Sequence, residues 1–219
     1  MEKTRILRFA VWFVTVLLGK GIKLSLALGS YAVGLSGIAV TFPLMGRMMS
    51  LTSTCIVAGM LGTICAFFTG LPLTFGLPSI AATLSWACSS STQKSHRLLG
   101  FILHVLLPLG CMAIFMTHPV ASHAWYYALY WLIPVCIWLS KSRHVFMHAL
   151  QSTFVAHAVG STLWLLTGSL TAAQWTALVP VVAFERFMIA GLSTCVWYGI
   201  EYAVQKLDRP VGQAKQRAA

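Results

Sequence analysis

Only four acids occur in the chain, Glu2, Glu185, Glu201 and Asp208, against fifteen lysines and arginines. Glu185 is followed directly by Arg186 inside the apolar stretch 175–205. An ionisable pair in such a stretch is costly unless it faces the protein interior and finds partners. If Pro180 opens that helix, as its missing N–H permits, Glu185 lies just over one turn from the helix boundary. On the preceding antiparallel segment, His157 falls about eleven residues, or roughly 16 Å, from the same boundary, with Trp164 between it and the surface. Glu185, Arg186, His157 and Trp164 are therefore the candidate substrate-binding residues of an outward-opening cavity, in which a charged group orients a polar moiety and Trp164 covers an apolar ring. Consecutive residues point about 100° apart on a helix, so Glu185 and Arg186 cannot both face the centre of one narrow cavity. A structural ion pair, a side chain snorkelling to an interface and proton chemistry are the competing readings of the pair.

The other reactive side chains suggest less. His144 and His148 share a helical face at the spacing metals use, but no HExxH and no nearby carboxylate complete a site, which favours a solvated pair beside Lys141 and Arg143. His104 and His157 could serve as axial haem ligands only if they lay at one depth, and the topology below places them in opposite halves. No GxSxG elbow or phosphate-binding glycine loop is present. Cys55, Cys65, Cys88, Cys111, Cys136 and Cys195 all sit in apolar runs without CxxC pairing, as buried free thiols would. No catalytic residue, metal site or cofactor is assigned, and the chain is read as a non-enzyme.

The elements that must position these residues follow from composition. Of 219 residues, 58% are apolar and 9% charged, where soluble domains carry about 25% charged residues. Such a chain cannot cover itself with polar surface, so an all-α, polytopic integral membrane helical bundle in the lipid bilayer is expected. Taking about 20 apolar residues per crossing, the candidate segments are 6–27, 30–47, 51–70, 76–91, 98–117, 124–140, 144–168 and 175–205. Lys20 and Lys23 interrupt the first, glycines and Pro43 the second, and the fourth is short, so six to eight membrane elements are counted. Basic connections at Arg47, Lys94 with Arg97, and Lys141 with Arg143 alternate with connections at 70–76, 118–124 and 168–174 that are uncharged apart from histidine. By the positive-inside rule both termini are cytoplasmic, with one transmembrane domain over 1–205 and a basic tail over 206–219. The location expected is the cell inner, or plasma, membrane. The +11 formal charge reports this topology, and nucleic acid is not a partner.

Two small-residue stripes, Ala58, Gly62, Ala66 and Gly70 and then Ser152, Ala156 and Gly160, predict close helix packing, within the chain or between subunits. Trp125, Tyr126, Tyr127, Tyr130 and Trp131 form an expected interfacial aromatic belt.

Residues 35–70, LSGIAVTFPLMGRMMSLTSTCIVAGMLGTICAFFTG, make a helix-loop-helix rich in small residues with a Pro-Leu-x-Gly turn, and 175–186, WTALVPVVAFER, end on a polar pair. In these features the chain resembles the substrate-specificity subunits of energy-coupling-factor vitamin transporters. That resemblance implies six helices, cytoplasmic termini, an outward pocket for a vitamin-like solute, and partnership with a transmembrane coupling protein and an ATPase module. The first helix departs from the family's Ala-xxx-Ala docking stripe, since Ala10 is followed by Val14 and Leu18. The leading function is a membrane transport or substrate-capture subunit for a small organic solute. A noncatalytic membrane assembly protein is the alternative, and an intramembrane enzyme the third.

Overall fold

The computed structural model describes residues 2–28, 31–69, 76–90, 95–168 and 170–208, with side chains 2, 3, 5, 20, 23–35, 61–69, 90 and 95 left aside. The expected tail residues Arg209, Lys215 and Arg217, the connection at 70–75, and Lys94 lie outside the described residues, as does the side-chain packing of Gly62, Ala66 and Gly70.

The expected helical class holds with one exception. Helix α1 (Glu2–Lys20) is followed by an antiparallel hairpin of β1 (Lys23–Leu28) and β2 (Tyr31–Ser36), registered from Lys23 opposite Ser36 to Leu28 opposite Tyr31. Helices over 6–27 and 30–47 are thus corrected to a helix, a hairpin and short helices. Leu24, Leu26 and Leu28 alternate with Lys23, Ser25 and Ala27, a period of two that suits a strand and not a helix. Ser36 then caps α2 (Gly37–Thr41) by accepting from the Ile38 N–H at 3.3 Å. Pro43 turns the chain through a short 3-10 segment, Phe42–Leu44, into α3 (Met45–Met48).

The later elements match the apolar runs closely. They are α4 (Leu51–Thr69), α5 (Leu77–Ser90), α6 (Ser95–Phe101), α7 (Leu107–Thr117), α8 (Leu132–Ser140), α9 (Val145–Thr167) and α10 (Ala172–Asp208). A π turn over Ile102–Leu106 joins α6 to α7. It lies just before Pro108, which has no N–H for the carbonyl of residue 104 and whose ring would crowd it. A 3-10 stretch, Ala121–Trp131, kinked at Ala124, leads into α8. Among the described residues two helices, His96–Thr117 and Ala172–Asp208, are long and apolar enough to cross a membrane.

Helix α9 is the centre of the molecule, packed on α5, α7, α8 and α10. The stripe of Ser152 and Gly160 meets α5 within the chain, with Ser152 Oγ donating to the Ala82 carbonyl at 2.8 Å. A Cβ on Gly160 would stand 3.5 Å from Pro78. The expected aromatic belt is split. Trp125 is exposed, whereas Tyr127 and Trp131 are buried and pack with Phe115 and Trp175 in the core. These rings fill the space beside α9 that helix-on-helix contact leaves open.

The two ends of the chain meet. Arg8 pairs with Glu201 at 3.0 Å, and Thr4 donates to Asp208 at 3.1 Å, tying the start of α1 to the end of α10. Glu201 is therefore an ion-pair partner and not simply a solvated anchor. The five described cysteines, Cys55, Cys88, Cys111, Cys136 and Cys195, are free thiols, and Cys55, Cys136 and Cys195 are exposed where buried thiols were expected.

Candidate functional site

A cavity of about 280 Å³ lies between α2 with its 3-10 extension, α5, α9 and α10. One face of α9 supplies most of a wall, through Ala149, Ser152, Thr153, Ala156, His157, Gly160, Ser161 and Trp164. Steps of three and four residues keep all of these on one side of the helix. Small residues at 149, 156 and 160 leave the space, and polar residues at 152, 153, 157 and 161 line it. Phe42, Pro43, Pro78 and Ile189 supply apolar walls.

Three of the four residues expected from the sequence, His157, Trp164 and Arg186, line this one cavity. Trp164 is 56% exposed, and His157 is buried. Glu185 is a correction, since it is not among the lining residues. The guanidinium of Arg186 reaches back to it instead, with Nη2 donating to Oε2 at 2.9 Å. This is how neighbours 100° apart on a helix can still pair: the carboxylate points away while the longer side chain spans both directions. Arg186 Nη1 also reaches Thr153 Oγ1 at 3.4 Å, linking α10 to α9.

The start of the helix that carries the pair is corrected too. Helix α10 begins at Ala172 and carries Pro180 inside it, so Glu185 stands thirteen residues from the helix start, about 20 Å at 1.5 Å per residue. Tyr130 donates to the Val179 carbonyl at 3.0 Å, and Tyr126 to Thr176 Oγ1 at 2.7 Å, on the turns just before and around this proline. A proline in a helix leaves the carbonyl four residues back without its usual N–H, and neighbouring polar side chains commonly support such a turn.

His157 continues into a short polar chain that sequence reasoning missed. Its Nδ1 lies 3.4 Å from Ser161 Oγ, which lies 3.1 Å from the Tyr127 hydroxyl. The His157 ring is also flanked by Tyr127, Trp131 and Phe154. Ser161 was legible as the next residue on the His157 face. Tyr127 was not, because its partner lies across another element. His157 Nε2, Trp86 Nε1 and Arg186 Nε, all on cavity-lining residues, are buried without a hydrogen-bond partner. Trp131 Nε1, Trp175 Nε1 and His104 Nδ1 are buried in the same way on residues that do not line the cavity, so this state is not peculiar to it.

The other histidines belong to separate structures. His104 Nε2 lies 2.9 Å from Ser85 Oγ. Ser89 Oγ donates to Gln151 Oε1 at 2.8 Å, and Gln151 Nε2 donates to the Pro134 carbonyl at 3.0 Å. This network crosses α5, the π turn, α8 and α9. Ser85 and His104 are wholly buried and are not among the residues that line the cavity. His144 is exposed, but His148 is buried, with Nε2 3.0 Å from the Ser142 carbonyl oxygen and Nδ1 3.4 Å from Arg47 Nη1. The expected solvated pair is thus corrected to one solvated histidine and one packed against Arg47, which itself covers the Trp197 ring at 4.7 Å. Among the described residues, no group of three or more His, Cys, Asp or Glu could hold a metal ion. No protein family, curated protein or solved structure matches this chain.

Proposed function

We propose that the chain is a polytopic membrane protein that captures or transports a small organic solute in the cavity between α5, α9 and α10. The observation that carries this reading is the convergence of His157, Trp164 and Arg186, from two helices, on one cavity in a largely apolar bundle. Keeping an ion pair and a histidine there has a desolvation cost that well-packed apolar side chains would avoid, and a bound polar solute supplies a reason to meet it. Six to eight elements in the bilayer and cytoplasmic termini complete the proposal. The contacts of Arg8 with Glu201 and of Thr4 with Asp208 support an even number of crossings, because both ends of the chain then share one side.

On this reading the protein works in the inner, or plasma, membrane, and its energy comes from a partner or a gradient. The resemblance to energy-coupling-factor substrate-specificity subunits favours a transmembrane coupling protein with an ATPase module. Ala10, Val14 and Leu18 form an exposed face on α1 that is available to lipid or to such a protein.

The test is native mass spectrometry of the full chain, purified in detergent from the membranes of its expression host, beside Ala156→Leu, which narrows the cavity. The expected result is a small-molecule adduct on the parent that is reduced at least several-fold in the variant at equal folded yield. No adduct on the parent, or one that the variant leaves unchanged, overturns the proposal.

A further inference from the structure

All four acids lie on α1 or α10, and the two ion pairs among the described residues, Arg8 with Glu201 and Arg186 with Glu185, are made there. Arg47 is occupied by His148 and the Trp197 ring. Arg97 in α6 and Lys141 and Arg143 just beyond α8 are different. All three are exposed, and their elements pack on α5, α7 and α9, which carry no acid. Two contacts bring them to one place. A Cβ on Gly100 would stand 2.7 and 2.8 Å from Cη2 and Cζ3 of Trp138, so the bare backbone of Gly100 lets that indole lie on α6. His104, one turn further along, packs on the same ring with centroids 5.1 Å apart. Pro134, one turn before Trp138, is tied through Gln151 and Ser89 to His104, so the two helices run antiparallel. Arg97 precedes Gly100 by three residues and Lys141 follows Trp138 by three, which puts both cations at the end the helices share. The turn that presents Lys141 and Arg143 is fixed, with His148 Nε2 3.0 Å from the Ser142 carbonyl oxygen and the Lys141 N–H donating to the Trp138 carbonyl at 3.2 Å. Lys141 has φ 52°, the left-handed conformation in which helices commonly end on glycine. A lysine held there at a backbone cost gives its side chain a reason to be present. Finally, the two most exposed large apolar side chains among the described residues are Leu98 at 69% and Leu139 at 70%, the first next to Arg97 and the second two residues from Lys141.

We infer that this end of α6 and α8 is a docking site for an anionic phospholipid, its phosphate among Arg97, Lys141 and Arg143 and its acyl chains along Leu98 and Leu139. The inference rests on the bilayer placement proposed above and is independent of the solute cavity. Three cations without an acid leave a positive field that the chain does not answer. The cytoplasmic leaflet carries negative headgroups at the level the positive-inside rule gives these connections. Each guanidinium can donate to two phosphate oxygens at once, and the Lys141 ammonium adds a point charge. The leucines select the source of the phosphate. A soluble anion or a nucleic acid would leave Leu98 and Leu139 in water, whereas a lipid covers leucines and cations together. A zwitterionic lipid would cover the leucines equally well, but its ammonium group brings a like charge to a surface that is already positive.

The experiment is native mass spectrometry of the full chain in detergent, titrated with phosphatidylglycerol or with phosphatidylcholine of identical acyl chains. The parent is expected to retain phosphatidylglycerol at least about 10-fold more strongly, since each cation beside an anionic headgroup contributes about 5-fold. The triple change Arg97→Gln, Lys141→Gly and Arg143→Gln is expected to bring the two lipids within about 2-fold of each other. Lys206→Gln, which removes an exposed cation from α10, is expected to leave the preference as it was. Lys141→Gly alone separates docking from folding. Glycine suits the left-handed position, so this variant should melt no lower than the parent while its retention of phosphatidylglycerol falls about 5-fold. Equal retention of the two lipids by the parent, a preference that survives the triple change, or an equal loss in Lys206→Gln would each overturn docking at this site. Displacement of phosphatidylglycerol by an excess of inorganic phosphate or of a glutamate-rich peptide would overturn a lipid as the occupant. All of these results leave the bilayer placement standing, whereas a chain recovered in the soluble fraction without detergent removes that placement itself.

Discussion

Gly46 offers the sharpest test of how the cavity is built. It lies in α3 where that short helix crosses α5. A Cβ placed there would overlap the carbonyl oxygen of Thr83 and stand 2.9 Å from the Ala87 backbone nitrogen and 3.0 Å from the Thr83 carbonyl carbon. All three obstacles are backbone, so no rotamer change relieves them. Gly46→Ala must push α3 from α5 by on the order of 1 Å to restore ordinary carbon contacts of about 3.5 Å. The residues flanking Gly46, Leu44, Met45 and Met48, are buried, and separating them from α5 opens a void. A void on the order of 100 Å³ costs about 2.4 kcal/mol at about 24 cal/mol per Å³, consistent with the roughly 1–3 kcal/mol typical of overpacking. At about 2–4 °C per kcal/mol for a chain of this size, the melting temperature in detergent should fall by roughly 5–10 °C. Gly191→Ala and Gly199→Ala are the controls. Both sit in α10 with nothing within 4 Å of an added Cβ, and a helix-interior Gly→Ala change should stabilise by about 1 kcal/mol. Pro43 precedes Gly46 by one turn, and Ala82 and Trp86 flank Thr83, so the same displacement should weaken solute binding. A Gly46→Ala protein that melts within about 2 °C of the parent would refute the close α3–α5 approach and this construction of the cavity wall.

Two further measurements address the charges and the topology. Glu185→Gln and Arg186→Gln should each destabilise by about 1–3 kcal/mol, less than a fully buried pair because about a fifth of each side chain is exposed, and the double change should recover part of the loss. Additive single effects in thermal unfolding would mean that the two groups are not coupled. A reporter fused after Arg217 should fall on the same side of the membrane as the N-terminus and read cytoplasmic, and one within 168–174 should read external. Termini on opposite sides would contradict the ion pair that joins α1 to α10.

From residue 95 onward most elements were legible because each apolar run is long and bounded by polar or proline-bearing connections, the exception being 124–140, where a kinked 3-10 stretch occupies the first half and α8 begins only at Leu132. The first 50 residues were not, because the run 23–36 is short and apolar, and hydropathy alone does not separate a strand from part of a helix at that length. The alternation of Leu24, Leu26 and Leu28 was the available signal. For the site, His157, Trp164 and Arg186 were legible as costly or large polar residues on adjacent segments. Their environment was not. Tyr127 sits in a sequence run of aromatics that reads as an interfacial belt, and only tertiary contact distinguishes it from its exposed neighbour Trp125. Glu185 was misplaced for a different reason. Helical phase separates it from Arg186, but the direction in which each points depends on where α9 lies, and Pro180 suggested a later helix start than the one formed.

The polar face of α9 explains why the cavity occurs at one particular height. Toward the start of the helix each polar group is answered within the protein: His148 by Arg47 and the Ser142 carbonyl, Gln151 by Ser89 and the Pro134 carbonyl, Ser152 by the Ala82 carbonyl. These bonds offset the cost of placing polar side chains in the core and fix α9 against α5 and α8. Further along the same helix the matching lapses. His157 Nε2 has no hydrogen-bond partner, and on the facing helices neither do Trp86 Nε1 and Arg186 Nε. Ala156 and Gly160 make room on this part of the helix, so the sequence of α9 combines a half whose polar groups hold the bundle together with a half whose small and polar residues border the cavity.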